Sequence, residues 1–90
     1  MKPEDVSRRI GVIWSSEAQA DLRAIDREPA MQILYCLDRY LSIRNGDVKK
    51  LKLPHSGLRL RCGDYRVFFD FKQQSLIEIT GVRHRSDAYR

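Results

Sequence analysis

The chain is poor in the residues that staple or ligate small domains, with two cysteines, two histidines and three prolines in 90 residues. Cys36 and Cys62 are far apart and neither belongs to a CxxC pair. The only other good ligands, His55 and His84, show no zinc-ligand spacing with them. Cys36 falls in a helical pattern and Cys62 on the apolar parity of a strand, which favours two buried, reduced thiols. No apolar run approaches the roughly 18 residues that span a bilayer. Met1-Lys2-Pro3-Glu4-Asp5 is followed by no apolar core segment, so no signal peptide and a cytoplasmic location are expected. Asp47, Asp64, Asp70 and Asp87 are dispersed and suit turns and ion pairs rather than magnesium, so neither metal nor cofactor is expected. No repeat, low-complexity tract or linker interrupts the sequence, which reads as one domain, residues 1–90, with a small core.

What the chain does have is positive charge in one place. The net charge is +5. Residues 1–45 hold seven Lys/Arg and seven Asp/Glu, which cancel, whereas residues 46–90 hold ten and five. The whole excess therefore sits in the second half, which points to a polyanion or an acidic partner.

Hydrophobic periodicity orders the elements. Ile10 to Trp14 is a short, β-branched strand. Ser15 and Ser16 offer an N-cap to an amphipathic helix over about 16–27, carried by Ala18, Leu22 and Ile25. Pro29 suits the first turn of a second helix, whose stripe is Ile33, Leu34, Leu37 and Leu41 with Ala30 and Tyr40 beside it. Asn45-Gly46 ends it, the glycine supplying the left-handed cap. The period then changes to two. A short strand near 48–52, a loop over 54–57, a strand over 58–62, a turn at Gly63-Asp64, a strand over 65–71, a polar turn over 72–75 and a last strand over 76–82 follow. The expectation is an α+β fold of order β-α-α-β-β-β, with an extra strand near 48–52. A two-helix hairpin packs on one face of a small, mostly antiparallel sheet and leaves the other face open.

Alternation assigns the side chains. Leu58, Leu60 and Cys62 share one face, and Arg59 and Arg61 the other. On the next strand Tyr65, Val67, Phe69 and Phe71 point to the core, and Arg66, Phe68 and Asp70 away from it. Arg83 and Arg85 leave the last strand with Tyr89 close by in sequence. Convergence of these ends would gather several arginines and one tyrosine in a single concavity. Such a set suits RNA cleavage by the adjacent 2′-hydroxyl. Arginines stabilise charge developing on the phosphorane. A tyrosine exchanges a proton if neighbouring cations lower its pKa from about 10.

The segment Trp14-Ser15 with its Ala18-x-x-Asp21-Leu22 helix opens a wider pattern. It continues through Val48-Lys49-Lys50-Leu51-Lys52 and the hairpin Arg59-Leu60-Arg61-x-Gly63-Asp64-Tyr65-Arg66-Val67, and closes with Val82-Arg83-His84-Arg85-Ser86-Asp87-Ala88-Tyr89. Over about residues 10–90 the chain resembles the RelE/ParE superfamily of toxins from bacterial toxin–antitoxin systems, and within it the RelE branch. The resemblance implies a ribosome-dependent endoribonuclease, metal-independent, that cuts mRNA in the decoding site and is silenced by a cognate antitoxin. It implies proton transfer by Tyr89 and Arg59, phosphorane stabilisation by Arg66, and leaving-group or phosphate assistance by Arg83. Arg61 and Lys52 match basic positions that contact RNA, and Lys49, Lys50, His84 and Arg85 are further candidates for such contact. His84 as the general base is the alternative chemistry. Operator DNA is expected as a partner only through the antitoxin complex, and no membrane is expected. Two other readings stand beside this one: a ParE-like inhibitor of DNA gyrase without nuclease activity, and a degenerate toxin acting only through antitoxin binding and autoregulation.

Overall fold

The computed structural model describes residues 9–52 and 55–87. Five strands form one sheet: β1 (Gly11–Trp14), β2 (Asp47–Lys50), β3 (Leu58–Cys62), β4 (Tyr65–Gln73) and β5 (Leu76–His84), with helices α1 (Ser16–Arg23) and α2 (Arg27–Ile43) between β1 and β2. The spatial order is β1-β5-β4-β3-β2. Every pairing is antiparallel except β1 with β5, because the chain crosses through the helical hairpin and three further strands before returning beside β1. The expected α+β fold is thus the observed one, and the short strand near 48–52 is β2. Leu53, and Pro54 of the expected loop, lie outside the described residues.

Local chemistry accounts for the helix ends. The Ala18 amide donates to Ser15 Oγ at 3.0 Å, closing the first turn of α1, and Glu17 and Arg23 stand at the ends that the helix dipole favours. The helix stops at Arg23 rather than near 27, since Asp26 is already the N-cap position of the next one, though its side chain makes no capping bond. On α2 the buried residues are Ile33, Leu37, Tyr40 and Leu41, an i, i+4, i+7, i+8 stripe.

The left-handed cap falls on Arg44 (φ 60°), not on Gly46. Arg44 meets its steric cost with two bonds, its amide to Tyr40 O at 2.8 Å and its Nη1 to Leu41 O at 3.1 Å. Gly46 is needed for another reason. A Cβ there would lie 2.7 Å from a methyl of Leu60, a fully buried residue of β3.

The core lies between the helices and one face of the sheet, centred on Phe69, Leu60, Val67, Ile77, Ile79 and Ile33, each 1% exposed or less. Burial raises the Tyr40 phenol above its ordinary value, with the Arg44 cation pulling the other way. Two expectations fail here. Phe71 has the core parity but is 43% exposed, at the distal end of the β4–β5 hairpin beside a bulge, with its ring edge against Phe69. Cys36 and Cys62 are joined by a disulfide rather than reduced. The helical stripe carries Cys36 over the end of β3, and the Cα atoms stand 5.8 Å apart, within disulfide reach. Among the described residues no helix is long and apolar enough to cross a membrane.

Candidate functional site

The pairing register turns scattered arginines into a row. Arg61 on β3 lies directly opposite Arg66 on β4, and Arg66 lies opposite Arg83 on β5. All three have the parity opposite to Leu60, Val67 and Val82, so they stand on the sheet face away from the helices. Neighbouring strands are about 4.8 Å apart, so the row spans about 10 Å. The next row is Lys49, Arg59, Phe68 and Gly81. One sheet face thus presents five cations around a partly buried aromatic ring.

Like charges directly opposite each other repel, and the fold relieves this only in part. Arg59 is 9% exposed and sits with Nη1 at 3.5 Å from Asp47 O and 4.0 Å from Asp47 Oδ1. Arg66 turns toward the β3–β4 turn, where its Nη1 donates to Gly63 O and Tyr65 O at 3.0 Å each. Neither acceptor is charged, so the Arg66 cation is held but not neutralised. Arg83 Nη1 lies 2.5 Å from Asp21 Oδ2. Arg61 is exposed. Such a face attracts anions with extended, repeating charge.

The other candidates divide. Lys49 joins the arginine face, opposite Arg59, whereas Lys50 has the opposite parity and Lys52 lies beyond the strand end, both exposed. His84 also has the helix-side parity. Its ring meets Tyr65 edge-on at 5.3 Å. The Ser86 amide donates to His84 Nδ1 at 3.2 Å, so Nδ1 is the acceptor nitrogen and the neutral ring carries its proton on Nε2. Arg85 leaves the strand toward the β3–β4 turn, its amide donating to Asp64 O at 2.7 Å and its Nε 3.8 Å from Asp64 Oδ1. Tyr89 lies outside the described residues.

Sequence reasoning missed Asp21. The signal was present: with Ala18 and Leu22 it follows helical spacing, which sets a carboxylate beside an apolar stripe. In the fold, α1 packs along β5 where β1 no longer covers it, and Asp21 Oδ2 accepts from the Val82 amide at 2.9 Å as well as pairing with Arg83. Among the described residues no group of three or more His, Cys, Asp or Glu could hold a metal ion.

A second surface feature lies between β1 and the helices. It is an open apolar groove of about 520 Å³ lined by Val12, Ile13, Trp14, Leu22 and Leu34, with Gln19 and Arg23 at its polar margin. It continues past Tyr35 toward Leu41. In the parallel pairing Gly11 and Ser15 send their amides to β5, so Val12 turns its backbone groups to the free edge beside this groove.

Comparison with known proteins agrees with this architecture. A family model described as the ParE toxin of type II toxin–antitoxin system, parDE, matches residues 12–89. No match was found among curated proteins. Among solved structures, the chain is similar to the archaeal RelE–RelB complex from Pyrococcus horikoshii OT3, at 23% identity and a TM-score of 0.67, covering 89% of this chain and 99% of that one. The RelB–RelE antitoxin–toxin complex from Methanococcus jannaschii follows at 20% and 0.65, covering 87% and 99%. The YoeB dimer from Staphylococcus aureus gives 21% and 0.63, covering 84% and 97%.

Proposed function

The chain belongs to the family of ParE toxins of type II toxin–antitoxin systems, within the RelE/ParE superfamily, and from that premise we propose that it is a metal-independent endoribonuclease that cuts mRNA in the ribosomal A site. The observation that carries this reading is the cross-strand row Arg61–Arg66–Arg83 with Arg59 beside it. A row of fixed cations on an open sheet face suits a phosphodiester backbone, and like charges directly opposite each other weaken the sheet rather than support it.

In the proposed reaction the 2′-hydroxyl attacks the adjacent phosphorus, and the bond to the 5′-oxygen breaks. Arg66, held by two uncharged carbonyls, keeps its charge for the phosphorane oxygens. Arg83 lies opposite Arg66 and assists the phosphate or the leaving oxygen. A guanidinium is a poor proton acceptor and donor in a protein. Arg59 therefore acts by holding the 2′-oxygen as its charge grows, Tyr89 as its phenolate takes the proton, and the leaving 5′-oxygen takes one from water, giving a 2′,3′-cyclic phosphate and a 5′-hydroxyl. Arg61 and Lys49 extend the same face toward neighbouring phosphates. The protein would work in the cytoplasm, bound otherwise to a cognate antitoxin seated in the apolar groove, and would meet operator DNA only through that complex.

The test is primer extension on a translated mRNA with purified ribosomes and the antitoxin-free protein, beside Tyr89→Phe. Cuts at A-site codons that need ribosomes and weaken in the variant would support the reading. The description of the matching family as ParE favours a second reading, gyrase inhibition without nuclease chemistry. Absent cleavage with loss of supercoiling activity in a gyrase assay would establish that one instead. Failure of both assays for a folded protein would leave the degenerate, antitoxin-binding role.

A further inference from the structure

Arg83 differs from its neighbours in the row because it already holds an anion. Asp21 Oδ2 stands 2.5 Å from its Nη1 and is fixed by the Val82 amide at 2.9 Å. The Asp21 side chain is 21% exposed and that of Arg83 50% exposed. The pair therefore sits at the solvent boundary of the row, with the carboxylate on the protein side and the guanidinium outward. Arg83 has one other acceptor, Val82 O, at 3.4 Å from the same Nη1, and among the described residues Nε and Nη2 make no bond. One edge of the guanidinium is occupied, and the other meets no partner among the described residues.

We propose that Asp21 is an internal counter-anion that occupies Arg83 in the free protein and competes with the substrate phosphate for it, making Asp21 a positioning residue that sets affinity at the β5 end of the row. This rests on the RNA-binding reading above. A charge-assisted bond is stronger than a neutral one, and a phosphate approaching the open edge of Arg83 meets the negative charge of Asp21 across the same guanidinium. Asp21 thus lowers the net attraction of the row at one end, while its bond to the Val82 amide prevents it from swinging away. Asp47 at the opposite end is not equivalent, since its carboxylate is 4.0 Å from Arg59.

Asp21→Asn is a suitable variant because the amide oxygen can still accept from the Val82 amide while the charge is gone. Binding would be followed with a short 2′-O-methyl RNA, which resists cleavage, and separately with inorganic pyrophosphate. The expected result is tighter binding of both probes by about fivefold at low salt, with the log K against log salt slope for RNA steeper by about 0.7, the increment for one more phosphate neutralised on a single strand. In an Arg83→Gln background the same substitution should change neither quantity beyond the general effect of net charge. Unchanged or weaker binding by a folded Asp21→Asn protein, or an equal gain in the Arg83→Gln background, would overturn the proposal. In the unmutated protein, the Val82 amide resonance should shift when pyrophosphate binds, and a silent Val82 amide at saturation would also count against it. RNA binding that survives Arg61→Ala and Arg66→Ala would sink the arginine row as the RNA site, and the pyrophosphate measurements would still decide the part played by Asp21.

Discussion

Reduction of the Cys36–Cys62 bond removes a constraint that closes a loop across 26 positions and ties α2 to the end of β3. In the chain-entropy description, cross-linking a loop of that length takes about 12 cal/mol/K from the unfolded chain, or about 3.5 kcal/mol at 25 °C. Cys62 is 7% exposed and packed within the core. The two thiols can remain in place as small apolar groups, so the folded state should lose little on reduction. For a domain of this size about 3.5 kcal/mol corresponds to a fall in Tm on the order of 15–25 °C. The assay is urea and thermal unfolding with and without a non-thiol reductant, with free thiols titrated in both samples, and Cys36→Ser as the control that should ignore the reductant. Two titratable thiols with a stability change below about 1 kcal/mol would refute the reasoning. The reducing cytoplasm disfavours such bonds, so a toxin acting there would work with a stability margin narrower by this amount.

Other consequences are more local. Arg66→Ala or Arg83→Ala should relieve growth arrest on expression, with Arg66→Ala leaving the unfolding free energy within about 1 kcal/mol because its side chain stands on the open face, whereas Arg83→Ala also removes the partner of Asp21; arrest that persists in the folded double variant would remove them from the site. Leu60→Ala should cost about 2–5 kcal/mol by opening a cavity under α2, measured by urea unfolding. Gly57→Ala should destabilise by about 1–3 kcal/mol, because φ is +94° there and a Cβ would sit 3.1 Å from Phe69 O and 2.6 Å from Asp70 Oδ1. Tyr40, whose folded pKa is raised by burial, contributes stability that is full below its unfolded value of about 10 and lost as pH rises through the folded value. Tyr40→Phe should therefore flatten the alkaline fall in unfolding midpoint between pH 9 and 11, and an identical slope in the variant would contradict this.

The sequence by itself determined the order of elements, the Ser15 cap, the apolar stripe of α2 and the face assignment of Arg59, Arg61 and Arg66, because each depends on spacings of two to four residues along one strand or helix turn. It also located the charge excess in the second half of the chain. The tertiary structure decided whatever depends on residues far apart in sequence. Register alone put Arg61, Arg66 and Arg83 in one line. Parity placed Phe71 toward the core, but the hairpin left it 43% exposed. The packing of α2 on β3 brought together two cysteines that the sequence reads as separate thiols. The crossing of α1 beside β5 carried Asp21 to Arg83, 62 positions away, a meeting that no local pattern encodes because it follows from how two elements pack and not from how either one forms.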